Sequence, residues 1–99
     1  MSKTKIALVQ MKMSSDQKKN IQNAVNKIYS AAKKGAKVIC LPELFMTKYF
    51  CQVESHKNFN FAEKIPGTSS KLFSAVAREL KIILIISLFE RKTSGLYHN

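Results

Sequence analysis

The sequence predicts an α/β domain with a parallel sheet. Three short apolar runs, KIALVQM (residues 5–11), KVICL (37–41) and KIILIISLF (81–89), have the length and branched-residue content of strands. Two stretches with helical period lie between them, and glycine punctuation marks their ends. The order is strand, helix, strand, loop, helix, strand. Right-handed crossovers join parallel strands in such an order.

The first helix is expected from Ser14 to about Lys34. Ser14 and Gln17 form an S-x-x-Q capping box, which satisfies exposed amides at a helix start. Ile21, Ala24, Val25, Ile28 and Ala32 fall on one face. Lys33 and Lys34 suit the negative end of the helix dipole, and Gly35 suits the left-handed residue that closes it. The second strand is residues 37–41. A long connection rich in aromatics follows, with room for a short helix between Glu43 and Pro66. Pro66-Gly67 signals a turn. Thr68 or Ser69 is the expected cap of a second helix that runs to about Leu80, with Leu72, Phe73, Val76 and Leu80 facing inward. The third strand, 81–89, is apolar on both faces, so both faces should be covered. Gly95 opens another turn.

Composition narrows the function classes. Ninety-nine residues make at most one small domain. The longest apolar run, IILIISLF, is far below the ~20 residues of a membrane-spanning helix. MSKTKIALVQMKM lacks the apolar core and cleavage site of a signal peptide, so a cytoplasmic protein is expected. Cys40 and Cys51 form no CxxC pair or Cys/His cluster, so neither a metal nor another cofactor is expected. The net charge of +11 invites a nucleic-acid reading. Against it, Arg78 and Arg91 are the only arginines among seventeen basic residues, and arginine is the preferred residue for bidentate phosphate and base contacts. The lysines are spread along the chain and read as a solvated surface.

In open α/β sheets, ligands sit beyond the carboxyl ends of the strands. Two charged residues stand there: Glu43, in VICLPELF, and Glu90, after the third strand. A strand-end carboxylate walled by Leu44, Phe45 and an apolar strand would be partly desolvated. That would raise its pKa toward the range of a general base. From spacing alone, a helix-start or salt-bridge role is as open to it. Cys40 reads as a small buried thiol inside a strand. Cys51 lies near Glu54 and His56, but sequence proximity does not make a triad.

With these residues placed, KIALVQM, GAKVICLPELF and AEKIPGTSSKLFSAVARELKIILIISLFERKTSGLYHN resemble, in order, the carbon–nitrogen hydrolase (nitrilase) superfamily. TKYFCQ, FAEKIPG, SLFE and GLYHN are most similar to its N-carbamoylputrescine amidases. The resemblance implies an α-β-β-α sandwich of which residues 1–99 are the N-terminal βαβαβ portion. It implies a Glu–Lys–Cys triad whose glutamate matches Glu43 and whose lysine and cysteine lie beyond Asn99. It further implies hydrolysis of a carbamoylated diamine to putrescine, ammonia and carbon dioxide in polyamine synthesis, and a homo-oligomer for the complete form. Tyr49 and Phe50 are candidate substrate contacts near the entrance, and Glu90 is a candidate auxiliary. Without its lysine and cysteine the 99-residue chain is expected to be inactive and to associate through uncovered strand faces. The alternative is a non-catalytic basic interaction module that pairs with a complete enzyme or binds RNA.

Overall fold

The computed structural model describes residues 3–46, 62–93 and 96–98. The candidate short helix of the long connection, and Tyr49, Phe50, Cys51, Glu54 and His56, lie outside the described residues. The elements are β1 (Ile6–Leu8), α1 (Gln17–Lys33), β2 (Val38–Cys40), α2 (Thr68–Leu80), β3 (Ile83–Ile85), β4 (Glu90–Thr93) and β5 (Leu96–His98).

The parallel sheet is present, in the order β1-β2-β3. Its strands are shorter than the apolar runs, but flanking bonds extend the ladder. Lys37 N donates to Lys5 O, Val9 N to Cys40 O, Ile83 N to Lys37 O and Leu41 N to Ile85 O. The third apolar run does not continue as one strand to Phe89. Glu63 pairs with the backbone on both sides of Glu90, donating to Phe89 O and accepting from Arg91 N. From Glu90 the chain turns into an antiparallel pair with β5, irregular between Arg91 and Thr93.

Strand alternation separates two faces. Ala7, Ile39 and Leu84 share one register row and face the helices, where they meet Ala24, Ile28, Phe73 and Val76. The other face carries the rows Ile6–Val38–Ile83 and Leu8–Cys40–Ile85. On it, Ile6, Leu8, Ile83 and Ile85 are 64%, 78%, 62% and 53% exposed. The expected cover on both faces of the third strand is therefore absent among the described residues, because both long helices pack on the same side.

The first helix starts two or three residues later than the capping-box reading. Asp16, not Ser14, is its N-cap, and its carboxylate accepts from Lys18 N and Lys19 N. Ser14 is drawn away to Asn20. Gly35 takes φ +94°, the left-handed conformation expected at the helix exit. The second helix is capped by Gly67 rather than Thr68 or Ser69. The Gly67 N–H donates to Ser70 Oγ at 2.7 Å. A side chain would collide there, since a Cβ on Gly67 would meet the Lys64 carbonyl oxygen. On the inward face Phe73 and Val76 are buried, but Leu72 is exposed, and Ser69 takes the buried position in the first turn. Tyr29 Oη donates to Glu79 Oε2 at 2.6 Å, tying α1 to α2. No helix among the described residues is long and apolar enough to cross a membrane.

Candidate active site

Leu41 is the last residue of the second strand held by the ladder, and Pro42 carries the chain off the sheet. Residues 43–46 form a turn in which Leu44 adopts φ +48°. That conformation costs a non-glycine residue roughly 1–2 kcal/mol, so the surroundings must hold it. They do so by burial: Leu44, Phe45 and Met46 all point into the core. The Phe45 ring packs edge-to-face on Phe73, with centroids 5.2 Å apart and planes at 87°.

The same turn leaves Glu43 at the carboxyl edge of the sheet with its side chain exposed. This corrects the expectation of a partly desolvated carboxylate. Leu44, in the left-handed conformation, and Phe45 are buried while Glu43 stays exposed.

Two polar groups that the sequence reading missed tie this turn down. Asn20, in the first turn of α1, is fully buried. Its Nδ2 donates to Met46 O and to Ser14 O, each at 2.9 Å. Its Oδ1 accepts from Ser14 N at 2.8 Å and from Ser14 Oγ at 3.2 Å. All four hydrogen-bonding positions of the amide are filled. A signal existed: Asn20 is four and eight residues before Ala24 and Ile28, on the buried stripe of the helix. The second tie is at the start of α2. Ser69 Oγ donates to Glu63 Oε2 at 2.9 Å and lies 3.1 Å from Met46 Sδ, while Ser69 N donates to Glu63 Oε1 at 3.1 Å. Glu63 thus satisfies a helix-start amide from outside the helix. No local pattern in the sequence announces it.

Glu90 is half-buried at the start of β4. With Ile65, Ser70, Ile86, Ser87 and Leu88 it lines a cavity of about 510 Å³, whose lining does not include Glu43. The structure therefore gives the two strand-end glutamates different surroundings. Among the described residues no group of three His, Cys, Asp or Glu side chains could hold a metal ion.

The parallel sheet presents Glu43 just past the end of its middle strand, the edge where α/β proteins hold ligands. Residues 5–99 match the carbon–nitrogen hydrolase family, and the chain belongs to that family. Over its whole length it is 35% identical to a citrullinase of Francisella tularensis, 39% identical to omega-amidase NIT2-B of Xenopus laevis and 37% identical to human omega-amidase NIT2. It spans about a third of the length of these relatives, 34–35%. The fold agrees. A carbon–nitrogen hydrolase from Helicobacter pylori superposes with TM-score 0.85 at 35% identity, over 94% of this chain and 32% of its own. Nit3 of Saccharomyces cerevisiae, a member of the nitrilase superfamily, superposes with TM-score 0.78 at 29% identity, over 97% of this chain and 37% of its own. These relatives are named for omega-amides and citrulline, not for the N-carbamoylputrescine that the sequence resemblance implies.

Proposed function

We propose that this chain supplies the general base of an amidase acting on a small linear amide, and that the base is Glu43. The observation that carries the proposal is the placement of Glu43 just past the middle strand of a family-matched sheet, on a turn whose other three side chains are buried. In the complete fold, a cysteine thiol supplied from outside this chain would attack the amide carbon. A free thiol is only weakly ionised near neutral pH and needs a base beside it. Glu43 would take the thiol proton as sulfur bonds to carbon, then return it to nitrogen as the C–N bond breaks and ammonia leaves. Water, deprotonated by the same carboxylate, would release the acyl group from sulfur. A lysine from outside this chain would stabilise the oxyanion.

The substrate is proposed from two sides. The resemblance of TKYFCQ and GLYHN points to N-carbamoylputrescine. The relatives' names point to citrulline and to omega-amides. N-carbamoylputrescine and citrulline share a terminal ureido group on a short aliphatic chain, so a ureido substrate joins the first indication to part of the second. The net charge of +11 does not recruit a cationic substrate, since it repels one. The test is ammonia release by the protein as its gene encodes it, from N-carbamoylputrescine, citrulline and the monoamide of a dicarboxylic acid, with Glu43→Gln beside the unsubstituted protein. Release from one of the ureido compounds, lost in Glu43→Gln, is expected. Turnover retained by Glu43→Gln removes Glu43 from the mechanism. No release from any of the three favours the non-catalytic module.

A further inference from the structure

We infer that the cavity beside Glu90 is a binding site for a small primary alkylammonium ion, separate from the Glu43 edge. The acidic side chains lead to it. Asp16 caps α1, Glu63 holds the start of α2 and Glu79 accepts from Tyr29. Glu43 has an interaction of its own. Among the described acidic side chains, the Glu90 carboxylate is the one with no hydrogen bond or ion pair. Its backbone, by contrast, is fixed from two sides. Glu63 donates to Phe89 O and accepts from Arg91 N, and Glu90 stands opposite His98 in the β4–β5 pair. A half-buried carboxylate is therefore held at the wall of the 510 Å³ cavity. The rest of the lining is aliphatic, from Ile65, Ile86 and Leu88, or hydroxyl, from Ser70 and Ser87, and it holds no basic side chain. A mostly apolar concavity with a few polar groups is the common form of a small-ligand site. A carboxylate only accepts hydrogen bonds, and its strongest bonds come from charged donors. Ser70 Oγ accepts from Gly67 N and donates to Gly67 O, which leaves it one lone pair. A primary ammonium brings three donors to these acceptors, and its alkyl chain suits the aliphatic walls. The positive end of α2 does not oppose it, since Glu63 already accepts from Ser69 N there. A calcium ion needs six or more oxygen ligands, more than one carboxylate and two hydroxyls supply. The inference does not depend on Glu43 being the base.

The experiment is a calorimetric titration of the protein as its gene encodes it with n-hexylammonium chloride. Hexan-1-ol serves as the uncharged ligand of the same chain length. The variants are Glu90→Gln, Ile65→Lys and Glu43→Gln. Saturable binding is expected for the ammonium. Loss of a charge-assisted bond should weaken it about tenfold or more in Glu90→Gln, and hexan-1-ol should bind the unsubstituted protein more weakly by a similar factor. Ile65 is 46% exposed, so Ile65→Lys brings a positive charge to the cavity wall from a position that tolerates one. It should weaken the ammonium by at least as much, and it carries the test if Glu90→Gln fails to fold. Glu43→Gln should leave the affinity within about twofold of the unsubstituted value. The inference is overturned by an absence of saturable binding, by equal affinity for ammonium and alcohol, or by unchanged affinity in Glu90→Gln or Ile65→Lys. It is also overturned if Glu43→Gln is the variant that weakens binding, since the ammonium would then sit on the carboxylate past the middle strand.

Discussion

Ile6 and Ile83 stand on either side of Val38 in one register row of the parallel sheet, and both are more than 60% exposed. Leu8 and Ile85 repeat the arrangement around Cys40. Apolar side chains in adjacent rows make a continuous patch, and patches of that kind mark contact surfaces or association. The 99-residue chain is expected to sediment as concentration-dependent oligomers. Leu8→Lys with Ile85→Lys places charge in the outer columns of the patch, and the double variant is expected to shift the distribution toward monomer. A single concentration-independent monomer for the unsubstituted chain would show that the exposed rows do not drive association.

Gly67 is a packing requirement more than a conformational one. Its φ of −145° is open to any residue, but a Cβ there would collide with the Lys64 carbonyl oxygen and lie 3.6 Å from Glu63 Oε1. Gly67→Ala should therefore push the 62–67 segment away from α2 and strain the Glu63–Ser69 bonds. Overpacking of this sort costs about 1–3 kcal/mol. A lower urea midpoint is the expected readout, and an unchanged midpoint would mean that the segment yields freely.

Phe73 links the core to the glutamate turn through its edge-to-face contact with Phe45. Both rings are essentially buried. Phe73→Ala is expected to cost about 3–5 kcal/mol, a large share of the stability of a domain this small. The loss should appear as a lower thermal midpoint by circular dichroism. Leu72→Ala, one position away and exposed, should shift it far less.

The Tyr29 phenol is expected to ionise later than an ordinary tyrosine. Its hydroxyl donates to Glu79, and that bond, with some desolvation and the charge of Glu79, holds the phenol above its ordinary pKa of about 10. The folded-state value is raised, so the contribution to stability is present below the ordinary value. It is lost as pH rises through the raised one. Phenolate absorbance during alkaline titration should show a late component, and Tyr29→Phe should remove it. Persistence of that component in Tyr29→Phe would assign it to another tyrosine.

These features were unequally visible in the sequence. The strands and helices were legible because apolar period and glycine punctuation are local. Where two local signals competed, packing decided. Ser14 and Asp16 can both cap a helix, and the buried Asn20 claimed Ser14. Leu72 obeys the helical spacing, but the stripe that reaches the core runs through Ser69, Phe73, Val76 and Leu80 and leaves Leu72 to one side. The third apolar run reads as one strand because nothing local marks Ile85. Its end is set by Glu63, more than twenty positions earlier, which pairs around Glu90. The site was half legible. VICLPELF placed Glu43 at the sheet edge, while the sequence signals neither its exposure nor the left-handed Leu44.

Because Glu43 is exposed, the role in chemistry proposed for it can be tested apart from a role in folding. Its neighbours on the turn are buried, but its own side chain is outside the core. Substitutions at exposed positions away from caps and buried networks usually change stability by less than about 0.5 kcal/mol. Glu43→Gln keeps the shape and removes the ability to take a proton. The expected outcome is an unchanged denaturation midpoint in this chain, together with loss of ammonia release in the protein as its gene encodes it. A midpoint lowered well beyond that range would mean that the Glu43 carboxylate contributes to holding the turn. Loss of activity in Glu43→Gln would then have to be divided between a missing base and a displaced one.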